Sequence, residues 1–77
     1  MHPIRLYSVP IPDDSLVCVV ERRLEAEDRY RGPIVARPGK VFYSLDMGGL
    51  DDADAQLEAH RIHGAIVRSI RARAVTT

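Results

Sequence analysis

The run from Asp51 to about Ala74 constrains the fold more than any other stretch, because its apolar residues recur at a helical period. At about 3.6 residues per turn, Ala55, Ala59, Ile62, Ile66 and Ile70 fall within one stripe, with His63 and Val67 on its shoulder. Asp54, Arg61, Arg68 and Arg71 lie opposite, flanked by Glu58 and His60, so the stripe is the face to be buried. Gly48-Gly49 interrupts the chain just before this run. Asp51 is placed to accept hydrogen bonds from the free N–H groups of the first turn, with Asp54 three residues on and Leu50 positioned to pack against Ala55. Carboxylates crowd the start and Arg68, Arg71 and Arg73 the end, matching the helix dipole at both termini.

An amphipathic helix of this length is marginal alone in water, so it needs a surface to cover, and a β-sheet is the expected one. Ile4 to Val9 alternates, with Ile4 and Leu6 on one side and Arg5, Tyr7 and Val9 on the other; Pro3, Pro10 and Pro12 bracket it as an edge strand. Pro12-Asp13-Asp14-Ser15 reads as a turn. Residues 16 to 25 admit two readings. As a strand, Leu16, Cys18, Val20 and Leu24 share a face; as a helix, Leu16, Val17, Val20 and Leu24 form a stripe capped by Asp14 or Ser15. The strand is preferred because Leu-Val-Cys-Val-Val is rich in β-branched residues, and the helix stays open because so short an apolar run cannot be settled by period. Residues 29–36 follow as a strand with Gly32-Pro33 as a bulge or kink. Arg37-Pro38-Gly39-Lys40 carries proline and glycine where a type II turn needs them, so Ile34–Ala36 and Val41–Leu45 are expected to pair as a hairpin.

The expected fold is therefore α+β: a small antiparallel sheet of three or four strands (about 4–9, 16–25, 29–36 and 40–45) covered by one long C-terminal helix (about 51–74). The whole chain, 77 residues, makes a single domain close to the lower size limit for a self-sufficient hydrophobic core. Cys18 is the lone cysteine, which excludes an intrachain disulfide and favours a cytoplasmic setting. Among valines, it reads as a small buried hydrophobe. No apolar run approaches a membrane span and Met1-His2-Pro3 opens no leader, so neither membrane nor anchor is expected.

No catalytic constellation is legible, and the chain is expected not to be an enzyme. Gly48-Gly49 before a helix resembles a phosphate-binding loop, but three aspartates at the same helix end repel anions and no Walker lysine is present. Those aspartates lack the alternate spacing of a calcium loop. His60 and His63 are three apart, not the four of a zincin pair, so no metal and no cofactor is expected.

Eleven basic residues balance eleven acidic ones, which argues against a uniformly basic nucleic-acid binder. Arginine outnumbers lysine, Lys40 being the one lysine. A small chain of mixed charge without catalytic motifs suits a non-enzymatic protein-binding module. It would serve as a stoichiometric inhibitor or adaptor masking a surface of a larger protein or nucleoprotein complex. Phage-type inhibitors of host defence or transcription, including anti-CRISPR-like action, are of this kind, and homodimerisation is a further expectation; the association rests on size. The expected partner-binding patch is acidic: Asp46, Asp51, Asp52, Asp54 and Glu58. The alternative is a nucleic-acid-binding regulator using a basic helix face, Arg61, Arg68 and Arg71, with Tyr30 or Tyr43 available for stacking. Leu57, an isolated apolar residue on the polar face near Gly64, would mark an interface centre.

Overall fold

The computed structural model describes residues 3–75. Strand β1 (Ile4–Pro10) leads through a 3-10 turn (Asp14–Leu16) into helix α1 (Val17–Glu25), followed by β2 (Tyr30–Arg37), β3 (Lys40–Asp46) and the long helix α2 (Asp52–Val75). The three strands form one sheet in the order β1-β3-β2, with β3 antiparallel to both neighbours.

The strand order follows from where the sequence permits unbroken hydrogen bonding. β3 holds neither proline nor glycine and takes the centre. β1 ends on Pro10 and β2 contains Gly32-Pro33, and a strand lacking an N–H is tolerated only at an edge. The β2–β3 register shifts between Arg31 and Val35, so the Gly32-Pro33 segment is a bulge, as expected. At the hairpin, Arg37 pairs with Lys40 and Gly39 has φ of +78°, the left-handed position of a type II turn.

Residues 16 to 25 correct the preferred sequence reading: they are not a strand. Asp13 accepts a hydrogen bond from the Ser15 amide at 2.9 Å and starts the 3-10 turn, which runs directly into α1. Since both edge strands are antiparallel to β3, β1 and β2 are parallel to one another, and a parallel connection must cross over the sheet. That topological requirement, together with the helix-favouring Glu-Arg-Arg-Leu-Glu half, outweighs the β preference of the valines. Val20 and Leu24 are completely buried, whereas Cys18 is exposed, contrary to the expectation of a buried thiol.

α2 begins as the sequence indicates. Asp51 accepts from the Asp54 amide through its carboxylate (2.8 Å) and from the Ala55 amide through its carbonyl (2.8 Å), while Gly49 turns the chain with φ of +85°. Ala55, Ile62, Ile66 and Ile70 are buried, and Leu50 packs partly against them. At about 1.5 Å per residue the helix is about 36 Å long, close to the long dimension of the molecule, 42 Å. α1 and α2 lie side by side on one face of the sheet. Their apolar sides meet Val9, Val41, Tyr43 and Leu45 in a continuous core that also takes in Ile11, Leu16 and Met47. β3 shows the resulting alternation: Val41, Tyr43 and Leu45 face the helices, and Phe42 and Ser44 face away.

Candidate binding surfaces

Three surfaces carry chemistry. The first is the charged end formed by the α1–β2 turn, the close of β3 and the start of α2. Here a cleft of about 590 Å³ is lined by Glu27, Asp28, Arg29, Arg31, Asp46, Glu58 and Arg61. Its charges largely satisfy one another. Arg61 donates to Glu27 at 2.7 Å and to Glu58 at 2.5 Å, Arg23 also donates to Glu27 at 2.5 Å, and Arg31 approaches Asp46 at 3.3 Å. Arg29 donates to the carbonyl oxygens of Asp46 and Gly48, at 3.0 and 3.1 Å, and pairs with Glu58 at 3.5 Å. The network ties the turn after α1 and the end of β3 to the body of α2.

The expected acidic patch lies at this same end, but most of its members are engaged internally. Asp46 accepts from the Gly48 amide as well as from Arg31; Asp51 caps α2; Asp52 pairs with Arg5 at 2.8 Å; Glu58 holds Arg29 and Arg61. Asp54 is exposed in the first turn of α2.

The Glu27 side chain is only 7% exposed. The hydrogen bond from Arg61 is the main influence holding its carboxyl below the usual range, with burial opposing and Arg23 adding to the lowering. Its ionised form is thus favoured in the folded state, so its stabilising contribution is present above the unfolded value of 4.5 and is lost as pH falls through the lower folded value. Thermal melts taken from about pH 7 down to about pH 3 should show Glu27→Gln losing part of the wild-type acid sensitivity. Identical pH dependence in the two proteins would contradict this role.

The second surface is the groove between the helices. The sequence separates Arg22 and Arg23 from Arg61 and Arg68, and the strand expectation placed the first pair in the sheet; α1 instead brings them beside α2. One hollow of about 350 Å³ is lined by Val19, Arg22, Arg23, Ala26 and Ser69, and a second of similar volume by Arg23, Arg61, Ala65, Arg68, Ser69 and Ala72. Of the expected basic face, Arg61 and Arg68 line the groove; Arg71 is exposed but is not among its lining residues.

The third surface is the sheet face opposite the helices. The register sets Leu6 against Ser44, and both Ser8 and Val35 against Phe42. Leu6 is 68% exposed and Val35 is 44% exposed, with Phe42 half-exposed between the edge strands. Lys40 stands over the Phe42 ring at 5.7 Å. Arg31 and Arg37 share this side of the sheet by register. The sequence showed the alternation of β1 but not which side the helices would cover.

Tyr43 is 1% exposed and stacks on Tyr7 with ring centroids 5.9 Å apart, which corrects its assignment as a stacking platform for a partner. Burial pushes its phenol up to about 12. Tyr30 is half-buried at the start of β2. Leu57 is 68% exposed on α2. His60 is exposed and His63 half-buried, and neither lines the cleft or the helix groove. Among the described residues no three of His, Cys, Asp and Glu gather as a metal would require, and no helix is long and apolar enough to cross a membrane. Compared with family profiles, curated proteins and solved structures, the chain matches none of them.

Proposed function

We propose that this chain is a small non-enzymatic binding module, a stoichiometric inhibitor or adaptor that masks part of a larger partner protein through the open face of its sheet. The observation that carries this reading is the uncovered row of Leu6, Phe42 and Val35 on the side away from both helices. Apolar side chains gathered on an exposed sheet face are what a protein interface buries at its centre. The same side bears Arg31, Arg37 and Lys40, against the single carboxylate of Asp46, which Arg31 already engages. The complementary partner surface is therefore apolar with a rim of carboxylates. The acidic end is the weaker docking site, because Asp46, Asp51, Asp52 and Glu58 serve internal contacts and would have to surrender them. No cofactor enters this reading.

Quantitative affinity capture compares the wild type with Leu6→Glu/Val35→Glu and with Asp54→Lys. The sheet-face pair is expected to weaken retention of a partner protein by about 2 kcal/mol or more, roughly thirtyfold in Kd, while Asp54→Lys retains it. A partner lost with Asp54→Lys and kept by the sheet-face variant would transfer the interface to the acidic end. Sedimentation of the purified chain covers homodimerisation: a dimer dispersed by Leu6→Glu/Val35→Glu identifies the occupant as a second copy.

A further inference from the structure

We propose that the groove between α1 and α2 is a binding site for the phosphodiester backbone of a nucleic acid, contacted chiefly by Arg22, Arg23 and Arg68. This stands independently of the sheet-face reading, since it concerns the opposite side of the molecule.

Guanidinium groups approach the groove from both helices, and the two hollows are neighbours that share Arg23 and Ser69 in their linings. No carboxylate lines either hollow, in contrast to the charged cleft at the end of the molecule, where acids and arginines alternate. Arg61 is held by Glu27 and Glu58 and acts as a fixed wall. Among the described residues, Arg22 and Arg68 have no carboxylate partner within 4.0 Å. Arg23 spends one terminal nitrogen on Glu27 and has a buried Nε with no hydrogen-bond partner. Of the four guanidinium groups at the groove, Arg23 and Arg61 share the carboxylates of Glu27 and Glu58, while Arg22 and Arg68 are left as unneutralised cations in a chain of zero net charge.

The floor decides which polyanion fits. Ala26, Ala65, Ser69 and Ala72 are small, and Val19 is the only large apolar side chain in the lining. The hollows are open and shallow, and give an acidic protein segment no enclosed pocket in which to anchor a large side chain. A nucleic-acid backbone needs none, because release of its condensed counterions supplies the affinity. Arginine suits the contact, since its planar fork matches phosphate oxygens bidentately. Along α2, Arg61 and Arg68 are seven residues apart, about 10 Å at 1.5 Å per residue, so the groove accommodates a short run of phosphates. With no aromatic residue in the lining, there is no platform for stacked bases, and recognition is of the backbone without sequence preference.

The test is fluorescence anisotropy of the full chain with mixed-sequence duplex and single-stranded oligonucleotides, at salt from roughly 50 to 200 mM. Three phosphate contacts give a log–log slope of about −2.7 on duplex, an affinity loss of about fortyfold over that range. Arg22→Ala/Arg68→Ala should reduce the slope to about −0.9, a loss of about threefold to fourfold, without lowering the melting temperature. Arg37→Ala/Lys40→Ala, on the sheet face, should leave the slope unchanged. Preference for the duplex or for the single strand identifies which form presents the backbone, and binding of either supports the site. The proposal is overturned by absence of binding at the lowest salt, by a slope that falls with the sheet-face pair instead, or by tighter binding of poly-glutamate than of both oligonucleotides.

Discussion

Val20→Glu is expected to unfold the protein, whereas Cys18→Glu changes its stability by no more than about 0.5 kcal/mol. The two positions are neighbours on one face if residues 16–25 are a strand and lie on different faces if they are a helix. In the structure Val20 is fully buried and Cys18 exposed. A carboxylate at position 20 would enter a core of Leu16, Leu24 and Ile66 with no cation to meet it, costing about 3–5 kcal/mol or forcing the helix off the sheet. At about 0.05–0.15 kcal/mol per residue, 77 residues are worth only about 4–12 kcal/mol, so that cost is disabling. At position 18, a glutamate would stand four residues before Arg22 on the solvent side, an arrangement that favours the helix slightly. Urea denaturation followed by circular dichroism separates the outcomes. Equal damage from both substitutions would mean that α1 is not the helix described.

The local sequence of this segment does not report what makes it a helix. Leu16 to Val20 has a strand-like composition, and the stripe of Val17, Val20 and Leu24 spans too few turns to outvote it. What selects the helix is remote: β3 inserts between β1 and β2, and the resulting parallel pair needs a crossover. α2 was legible because everything that specifies it is local: the Asp51 cap, the glycine before it, and an isoleucine stripe repeated over many turns. The Pro38-Gly39 hairpin was legible for the same reason.

Legibility of the binding surfaces divides along the same line. Arg61 and Arg68 could be placed on one side of α2 from spacing, but Arg22 and Arg23 join them only once α1 is a helix. The pairing of Glu27 with Arg61 spans thirty-four residues and leaves no periodic trace. The acidic cluster was visible in the sequence; its internal use was not, because Arg5 and Arg29 meet Asp52 and Glu58 only across the assembled fold. In β1 the alternation was plain, yet it marked neither side as inner. Leu6 looks like a core residue beside Arg5, and it is the Tyr7 and Val9 side that the helices cover.

Ile66→Ala is the second substitution with a large expected effect, and it tests the joint between the helices and the sheet. Ile66 is fully buried at the middle of α2, within the same core as Val20, Leu24, Val41 and Tyr43. Removing most of its side chain loses apolar burial and leaves a cavity, because backbone on both sides is held by hydrogen-bonded elements; the cost is about 2–5 kcal/mol. For a domain of this size a loss near 3 kcal/mol lowers Tm by about 12–24 °C. Leu57→Ala, an equally large truncation at an exposed position on the same helix, should stay within about 0.5 kcal/mol. Matching melting curves for the two variants would refute the orientation of α2. The contrast also bears on binding, since a three-stranded sheet of this kind holds its shape only while a layer covers its apolar side. Loss of partner capture in Ile66→Ala must therefore track the unfolded fraction, whereas in Leu6→Glu/Val35→Glu capture should fall with Tm unchanged.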